Sequence, residues 1–323
     1  MKLSKLDLAS RIAIRDCMGT SPSERVLVIC DKNKREIGLS LFENAVGLGH
    51  ESFYLEMKPL ERNGQEPPED IGEMMKKFDV VFCPTTTSLT HTKARQQASA
   101  QGVRIATFPG ITKEVMIRGL NADYKKIAAL SIKLKGILEK VKHVRVTSPA
   151  GTDISFSIEG RTSYASKGLF HAKGESGNLP TGETYLAPIE GTSNGIVVVD
   201  GSMAGLGLVK NTNIKIVVRD GYAEEITGGV LAKKLVKMLD EVGRDGRNIA
   251  EFGIGTNDKA KLSGVLLEDE KVMGTIHIAL GNNKSMGGSV GVQLHLDGVV
   301  LRPDVYLDGK LLMKRGKFTG MLN

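Results

Sequence analysis

The sequence has few of the residues that mark secreted and membrane proteins. Its three cysteines, Cys17, Cys30 and Cys83, are isolated and form neither a paired framework nor a CxxC motif. The longest apolar runs, such as IVVV at 196–199, have the length of a strand and are too short to span a bilayer. The first residues, MKLSKLDLASRIAIRDCMG, lack the uninterrupted apolar core of a signal peptide. We therefore expect a reduced, cytoplasmic protein that makes no contact with a membrane.

Aromatic residues are also scarce, at 5% of the chain, and this bears on its most basic part. The formal net charge is +7, and much of the excess lies at 125–145, where apolar residues recur at helical spacing. No aromatic residue stands among these lysines to stack on bases. The pattern is typical of an amphipathic helix with a solvated lysine face. We expect no nucleic-acid partner, and a binding protein that acts through this helix is the alternative left open.

The pattern of apolar runs changes partway along the 323 residues, a length that suggests two domains. The first part alternates strand-like runs such as RVLVIC with helical stretches, which is typical of a parallel sheet covered by helices. Later, short strands separated by glycine or Asp-Gly turns dominate. We predict an α/β domain over 1–144 and a mostly β domain (α+β, with one helix) over 145–323.

The segment HIALGNNKSMGGSVGVQLHLD, at 277–297, contains the most distinctive chemistry. Successive side chains of a strand point to opposite faces, so His295 and Asp297 point the same way, away from an apolar face. His277 stands opposite the apolar face of its own strand. Imidazole and carboxylate together are ligands of zinc, iron, cobalt and manganese. The pattern therefore indicates a metal site, which would make the mostly β domain at 145–323 the metal-binding catalytic domain. Hydrogen-bonded structural histidines are the other interpretation.

Two upstream glutamates add candidates to this set. Glu183 follows a Pro-Thr-Gly turn at the start of a strand, and Glu251 lies within an otherwise apolar strand. A carboxylate on an apolar strand carries a desolvation cost unless it is paired or bound to a metal. Both acids are therefore candidate ligands, although Glu183 taken alone would also fit an exposed loop.

Four segments, PTGETYLAP, AEFGIGTN, HIALG and HLD, follow one another in this order. In them the chain resembles the aminopeptidase T/aminopeptidase S family of thermophilic metallopeptidases, well over roughly 178–323 and loosely before that. The resemblance implies a homodimer and a pair of divalent metal ions, which would be zinc, cobalt or manganese. It also implies the ligands of that pair, which are Glu183, Glu251, His277, His295 and Asp297.

The function implied by this resemblance is that of a metallo-aminopeptidase-like hydrolase. Two ions would activate a bridging water to cleave an N-terminal peptide bond or a small amide, with Glu183 shuttling the proton. The family has a tyrosine shortly after HIALG, where this sequence has Lys284. A lysine there would bind a substrate carboxylate or polarise a carbonyl, unless it is simply a solvated loop residue. Tyr185 or Tyr306 could take the place of the tyrosine.

A second resemblance keeps another enzyme class open. The 2,5-dihydroxypyridine dioxygenases resemble the same peptidases but hold one iron, with two histidines and one carboxylate as ligands. His277, His295 and Asp297 could supply that set. Because both glutamates are also present, we favour two metals and the hydrolase, and keep the iron dioxygenase as the alternative. The number of metal ions bound per chain distinguishes the two.

Overall fold

The computed structural model describes residues 3–322. They divide into two compact units. The first ends at Ala128 and includes Ser166–Thr181, and the second comprises Ala129–Ala165 and continues from Gly182. The domain boundary predicted at residue 144 stays a prediction. Within residues 3–322, no helix is long and apolar enough to cross a membrane.

Helices and strands alternate through the first part of the chain, and strands dominate the rest. In chain order the elements are α1 (Lys5–Arg11), β1 (Val26–Asp31), α2 (Arg35–Gly47), β2 (Ser52–Met57), α3 (Glu69–Met75), β3 (Val80–Cys83), α4 (Lys93–Ala100), β4 (Arg104–Thr107), α5 (Lys113–Leu120), α6 (Tyr124–Leu138), β5 (His143–Thr147), β6 (Asp153–Ser157), β7 (Tyr164–Ser166), β8 (Ser176–Asn178), β9 (Glu183–Leu186), β10 (Asn194–Val199), β11 (Ser202–Met203), β12 (Gly207–Leu208), β13 (Ile214–Arg219), β14 (Tyr222–Thr227), α7 (Gly229–Asp240), β15 (Ile249–Gly255), α8 (Leu266–Asp269), β16 (Thr275–Gly281), β17 (His295–Leu301), β18 (Asp304–Leu307), β19 (Lys310–Lys314) and β20 (Lys317–Phe318).

The first unit is built on a five-stranded sheet in the order β2-β1-β3-β4-β8. All its strand pairs are parallel. The central strands β1, β3 and β4 are buried along their whole length, as expected for a parallel sheet covered on both faces. This arrangement confirms the predicted α/β fold of the first part of the chain.

The second unit contains two larger sheets. One has the order β14-β13-β10-β6-β5-β18-β19-β20, and the other has the order β12-β11-β17-β16-β15-β9-β7. Their apolar faces contribute to one buried cluster, in which the rings of Phe156 and Phe252 lie 5.3 Å apart. Helix α7 adds Ala232, Leu235 and Leu239 to that cluster. The mostly β second part is thereby confirmed.

The three adjacent strands β17, β16 and β15 position the candidate site. On one face of the sheet their apolar residues, including Phe252, Ile276 and Ile278, enter the core of the second unit. Because side chains alternate along a strand, the residues between them point to the opposite face. That opposite face bears the predicted ligands, and β15 and β16 are buried throughout.

Candidate metal centre

The strand register brings the predicted ligands together on one sheet face. Ala279 of β16 pairs with Glu251 of β15 on one side and with Asp297 of β17 on the other. In the neighbouring row, Gly281 pairs with His295. The two carboxylates therefore flank a small alanine side chain, which leaves the space between them open.

A glycine makes room for the first histidine. Gly253 of β15 pairs with His277 on one side and with Tyr185 of β9 on the other. A Cβ atom at Gly253 would lie 2.0 Å from Nε2 of His277, which is far closer than any side chain permits. The imidazole of His277 therefore occupies space that only glycine leaves free.

Ligand atoms of four predicted residues form a continuous chain of short distances. Nε2 of His277 lies 3.1 Å from Oε1 of Glu251, and Nε2 of His295 lies 3.1 Å from Oε2 of the same carboxylate. Nε2 of His295 is also 3.4 Å from Oδ1 of Asp297. Two ligands bound side by side to one ion at about 2.1 Å are about 3 Å apart. The donor atoms of Glu251, His295 and Asp297, which all lie within 4.8 Å of one another, therefore fit the surroundings of a single cation.

A backbone carbonyl orients the second histidine. Nδ1 of His295 lies 2.8 Å from the carbonyl oxygen of Asn282, to which its N–H donates. A neutral His295 with its proton on Nδ1 can present the lone pair of Nε2 to a metal ion, which is the usual arrangement of a metal-binding histidine. The side chain of His295 is 32% exposed, whereas that of Asp297 is 5% exposed, so solvent reaches the cluster at His295.

Two groups of candidate ligands adjoin each other. The His295 group consists of Glu251, His295 and Asp297, and the Glu183 group consists of Glu183, Glu270 and His277. Within each group the ligand atoms lie within 4.8 Å of one another. Glu183, Glu251, His277, His295 and Asp297 are thus all brought into one cluster, although their binding of metal stays a prediction.

Two members of the cluster were missed by the sequence analysis. Nζ of Lys271 lies 2.7 Å from Oε1 of Glu183 and 3.0 Å from Oε1 of Glu270, and its side chain is 3% exposed. The stretch LLEDEKV has the composition of a solvated helix end, so it contains no signal for a buried pair. A lysine is almost never buried unless it is paired, and here two carboxylates pair with it.

The surplus of carboxylates perturbs the titration of both histidines. Burial by itself lowers the pKa of His277, but the hydrogen bond to Glu251 and its charge, with those of Glu183 and Asp297, raise this pKa to about 9. The pKa of His295 is raised as well, because Asp297 and Glu251 outweigh the effect of burial. Burial favours the neutral acid of Glu251, yet hydrogen bonds from both imidazoles hold its pKa well below the usual range. Protons therefore supply the positive charge that a divalent cation would otherwise bring.

Several buried polar atoms support the fit of a cation to this cluster. Oε2 of Glu183 and Oδ1 of Asp297 are buried and lack a hydrogen-bond partner within the described residues. A buried carboxylate oxygen without a partner is costly, and coordination to a metal ion is one way to satisfy it. Imidazole nitrogen and carboxylate oxygen are also the donors that zinc, iron and manganese accept. The residues present fit a divalent metal ion.

We expect metal binding to release protons near neutral pH. Because the pKa of His277 is about 9, this imidazole is protonated at pH 7 in the metal-free protein, and a metal requires it neutral. Affinity for Mn²⁺ should therefore rise with pH up to about 9, by about tenfold per unit for each proton displaced. Titration calorimetry at pH 7 in buffers of different ionisation enthalpy measures the proton count, and a binding heat that does not depend on the buffer would contradict the prediction.

Gly253→Ala is expected to weaken Mn²⁺ binding by at least about tenfold, because the new methyl group displaces the ring of His277. Equilibrium dialysis measures the affinity, and circular dichroism checks the fold. Gly136→Ala is the matched control, since a Cβ atom there meets nothing within 4 Å and alanine favours its helix α6. Equal Mn²⁺ affinities of the two variants would show that His277 does not need this space.

The residues considered as replacements for the peptidase tyrosine lie in different places. Lys284 is exposed on a 3₁₀ turn (Lys284–Met286), its side chain lies over Gly291, and within residues 3–322 it forms no ion pair with the cluster. Its catalytic role stays a prediction without support from this geometry. Tyr306 belongs to β18 in the other sheet, whereas Tyr185 lies beside Gly253 on the face of the cluster. Burial, followed by the nearby glutamate charges, raises the pKa of Tyr185.

A buried group of imidazoles and carboxylates that could hold a metal ion is the kind of site found in metal-dependent enzymes with histidine and carboxylate ligands. A family model described as 2,5-dihydroxypyridine 5,6-dioxygenase matches residues 13–320, and the chain belongs to that family. The chain is 25% identical to the 2,5-dihydroxypyridine 5,6-dioxygenase of Pseudomonas putida over 248 residues. That match covers 72% of this chain and 69% of the Pseudomonas protein.

Solved structures share the fold. The structure of 2,5-dihydroxypyridine dioxygenase from Pseudomonas putida has a TM-score of 0.83 and 18% identity, with 99% of each chain covered. Wild-type AmpT from Thermus thermophilus has a TM-score of 0.71 and 18% identity, with 98% of this chain and 99% of that chain covered. The resemblance to aminopeptidase T is therefore confirmed at the level of the fold.

The predicted activity is corrected by the family match. The chain belongs to a dioxygenase family, so the prediction of a metallo-aminopeptidase-like hydrolase is wrong. The physical reason is that both kinds of protein share the fold, and histidine and carboxylate ligands serve hydrolytic and oxidative metals alike. The order of the four sequence segments therefore indicates the scaffold and a metal-binding site, but it does not distinguish the two chemistries.

Proposed function

We propose that this protein is an iron-dependent dioxygenase that opens the ring of a dihydroxylated pyridine. The observation that carries the proposal is the family match over residues 13–320, which includes every residue of the buried cluster. The substrate class follows the name of the 25% identical relative. This reaction does not require the second metal ion, or the zinc, cobalt or manganese, expected from the resemblance to the peptidases. The expected homodimer stays a prediction.

We infer that His277, His295 and Asp297 are the iron ligands. Two histidines and one carboxylate on one face of the ion form the ligand set of non-haem Fe(II) oxygenases, and this set leaves positions open. Two observations support the assignment: Nε2 of His295 lies 3.4 Å from Oδ1 of Asp297, and Nε2 of each histidine lies 3.1 Å from an oxygen of the same Glu251 carboxylate.

The protein itself would orient the ligands and handle protons. The iron, when bound, supplies the redox chemistry by which dioxygen reacts with an electron-rich ring. The carbonyl of Asn282 holds Nδ1 of His295, so Nε2 keeps its direction. Glu251 accepts hydrogen bonds from both imidazoles in the metal-free chain. When these nitrogens turn to a metal ion, its carboxylate becomes free to accept the proton of a substrate hydroxyl.

Oxygen uptake tests the proposal. The protein is loaded anaerobically with Fe²⁺ and mixed with 2,5-dihydroxypyridine in an oxygen-electrode cell, while the ring absorbance is followed. We expect one dioxygen consumed for each ring opened, and no activity with the metal-free protein. Pyridine, which lacks both hydroxyls, is the matched control. Iron-loaded protein that consumes no oxygen with any dihydroxylated pyridine would overturn the assignment.

A further inference from the structure

The Glu183 end of the cluster already contains a cation that belongs to the chain. The ammonium of Lys271 contacts one oxygen of Glu183 and one oxygen of Glu270, at 2.7 Å and 3.0 Å. These two glutamates and His277 are the very residues whose donor atoms lie close enough to hold a metal ion. A positive charge therefore stands where a second ion would find its ligands.

The contacts of Glu183 divide between the two ends of the cluster. Its Oε1 atom accepts from Lys271, whereas Oε2 lies 3.7 Å from Nε2 of His277 and has no hydrogen-bond partner within the described residues. The carboxylate thus links the lysine to the histidine that lies 3.1 Å from Glu251. The Glu183 group is therefore held together by an ammonium, while within residues 3–322 the His295 group has no lysine or arginine among its ion pairs.

Charge makes the two cations mutually exclusive at this end. A divalent ion held by Glu183 and Glu270 would lie within a few ångströms of the ammonium, where repulsion is strong in a buried setting. Lys271 is 3% exposed, so it cannot swing into solvent without leaving both carboxylates unpaired. A buried carboxylate pair that loses its cation is strongly destabilised.

We propose that Lys271 takes the place of a second metal ion, so that a divalent ion binds only at the His295 end of the cluster. This inference rests on the proposed function only in that a metal ion binds to the cluster, and it does not depend on the reaction. Lys271 is then a positioning residue that sets the number of metal ions. A purely structural ion pair would set no such number.

Metal stoichiometry tests the proposal without any activity measurement. Wild type, Lys271→Met and Lys271→Arg are dialysed against Mn²⁺, and bound manganese is counted per chain. We expect one ion in wild type and in Lys271→Arg, and two in Lys271→Met. At higher Mn²⁺ concentration, the affinity of wild type for a second ion should be at least tenfold weaker than that of Lys271→Met. Electron paramagnetic resonance should show a coupled pair of ions only in Lys271→Met. The exposed Lys310→Met is the matched control and should bind one ion.

Stability measurements cover a variant that folds poorly. Without metal, Lys271→Met should unfold at a lower temperature than wild type. Mn²⁺ should raise the unfolding temperature of Lys271→Met by more than it raises that of wild type. The double variant Glu270→Gln, Lys271→Met removes one charge of each sign together with one ligand, so it should fold and bind one ion.

The outcomes separate this inference from the proposed function. Two manganese ions in wild type, or one ion in a folded Lys271→Met, would overturn the role of Lys271 and leave the metal centre intact. No manganese in wild type would overturn both. One ion in wild type with failed oxygen uptake would overturn the dioxygenase and leave the role of Lys271 standing.

Discussion

His295→Ala is expected to remove iron binding and ring opening together. Its Nε2 atom lies within 3.4 Å of both Glu251 and Asp297, so alanine removes the nitrogen donor that stands beside both carboxylates. Residues that only support a ligand typically cost 10–100-fold in metal affinity when changed. The loss of a ligand should exceed this, so we expect Fe²⁺ affinity and kcat/KM to fall by more than about 100-fold. Iron analysis after anaerobic loading and oxygen uptake measure the two effects.

The matched control is His143→Ala. His143 lies on β5 in the other sheet of the second unit and is exposed, so its loss should leave both iron content and oxygen uptake unchanged. Glu251→Gln adds an intermediate case. It keeps the shape of the group between the two imidazoles but removes its charge, and we expect a loss in the range of about 10–100-fold. A His295→Ala protein that still binds one iron per chain would disprove the ligand assignment.

The sequence predicts much of the site because strand periodicity is a local property. The alternation predicted for VGVQLHLD places His295 and Asp297 on one face, and the structure has them there, although its strand begins only at His295. The alternation in TIHIAL does the same for His277. Local alternation does not predict which strands pair or in which register they pair. The rows that join Ala279 to Glu251 and Asp297 could be inferred only through the resemblance to a known family.

The two residues that the sequence analysis missed show that local patterns do not predict long-range contacts. Glu270 and Lys271 stand in a run of charged residues that is typical of solvent exposure, yet Lys271 is buried against Glu183, which lies far away in the sequence. The parallel sheet also contains a strand pairing that no local pattern predicts. Its fifth strand, β8, comes from Ser166–Thr181, well after the alternating strands and helices have ended. Such long-range pairings follow from the packing of the whole unit rather than from any short pattern.

Phe252→Ala is expected to lower the free energy of unfolding by about 3–5 kcal/mol, the range typical of a fully buried phenylalanine. The ring packs against Phe156 with centroids 5.3 Å apart, and the cavity left behind would remove these contacts. Phe252 follows Glu251 directly on β15, so the same strand supports the core with one face and the metal centre with the other. The loss should therefore also weaken the binding of iron, because Glu251 becomes less firmly positioned.

Thermal unfolding followed by circular dichroism, with and without Fe²⁺ under anaerobic conditions, measures both effects of Phe252→Ala. Phe53→Ala is the matched control, since this ring on β2 of the first unit is 43% exposed and its loss should cost much less. Bound iron stabilises the folded state by mass action, so a weaker site should show a smaller rise in unfolding temperature on loading. If Phe252→Ala lowers the unfolding temperature but gains as much from iron as wild type, the position of Glu251 does not depend on the core face of its strand.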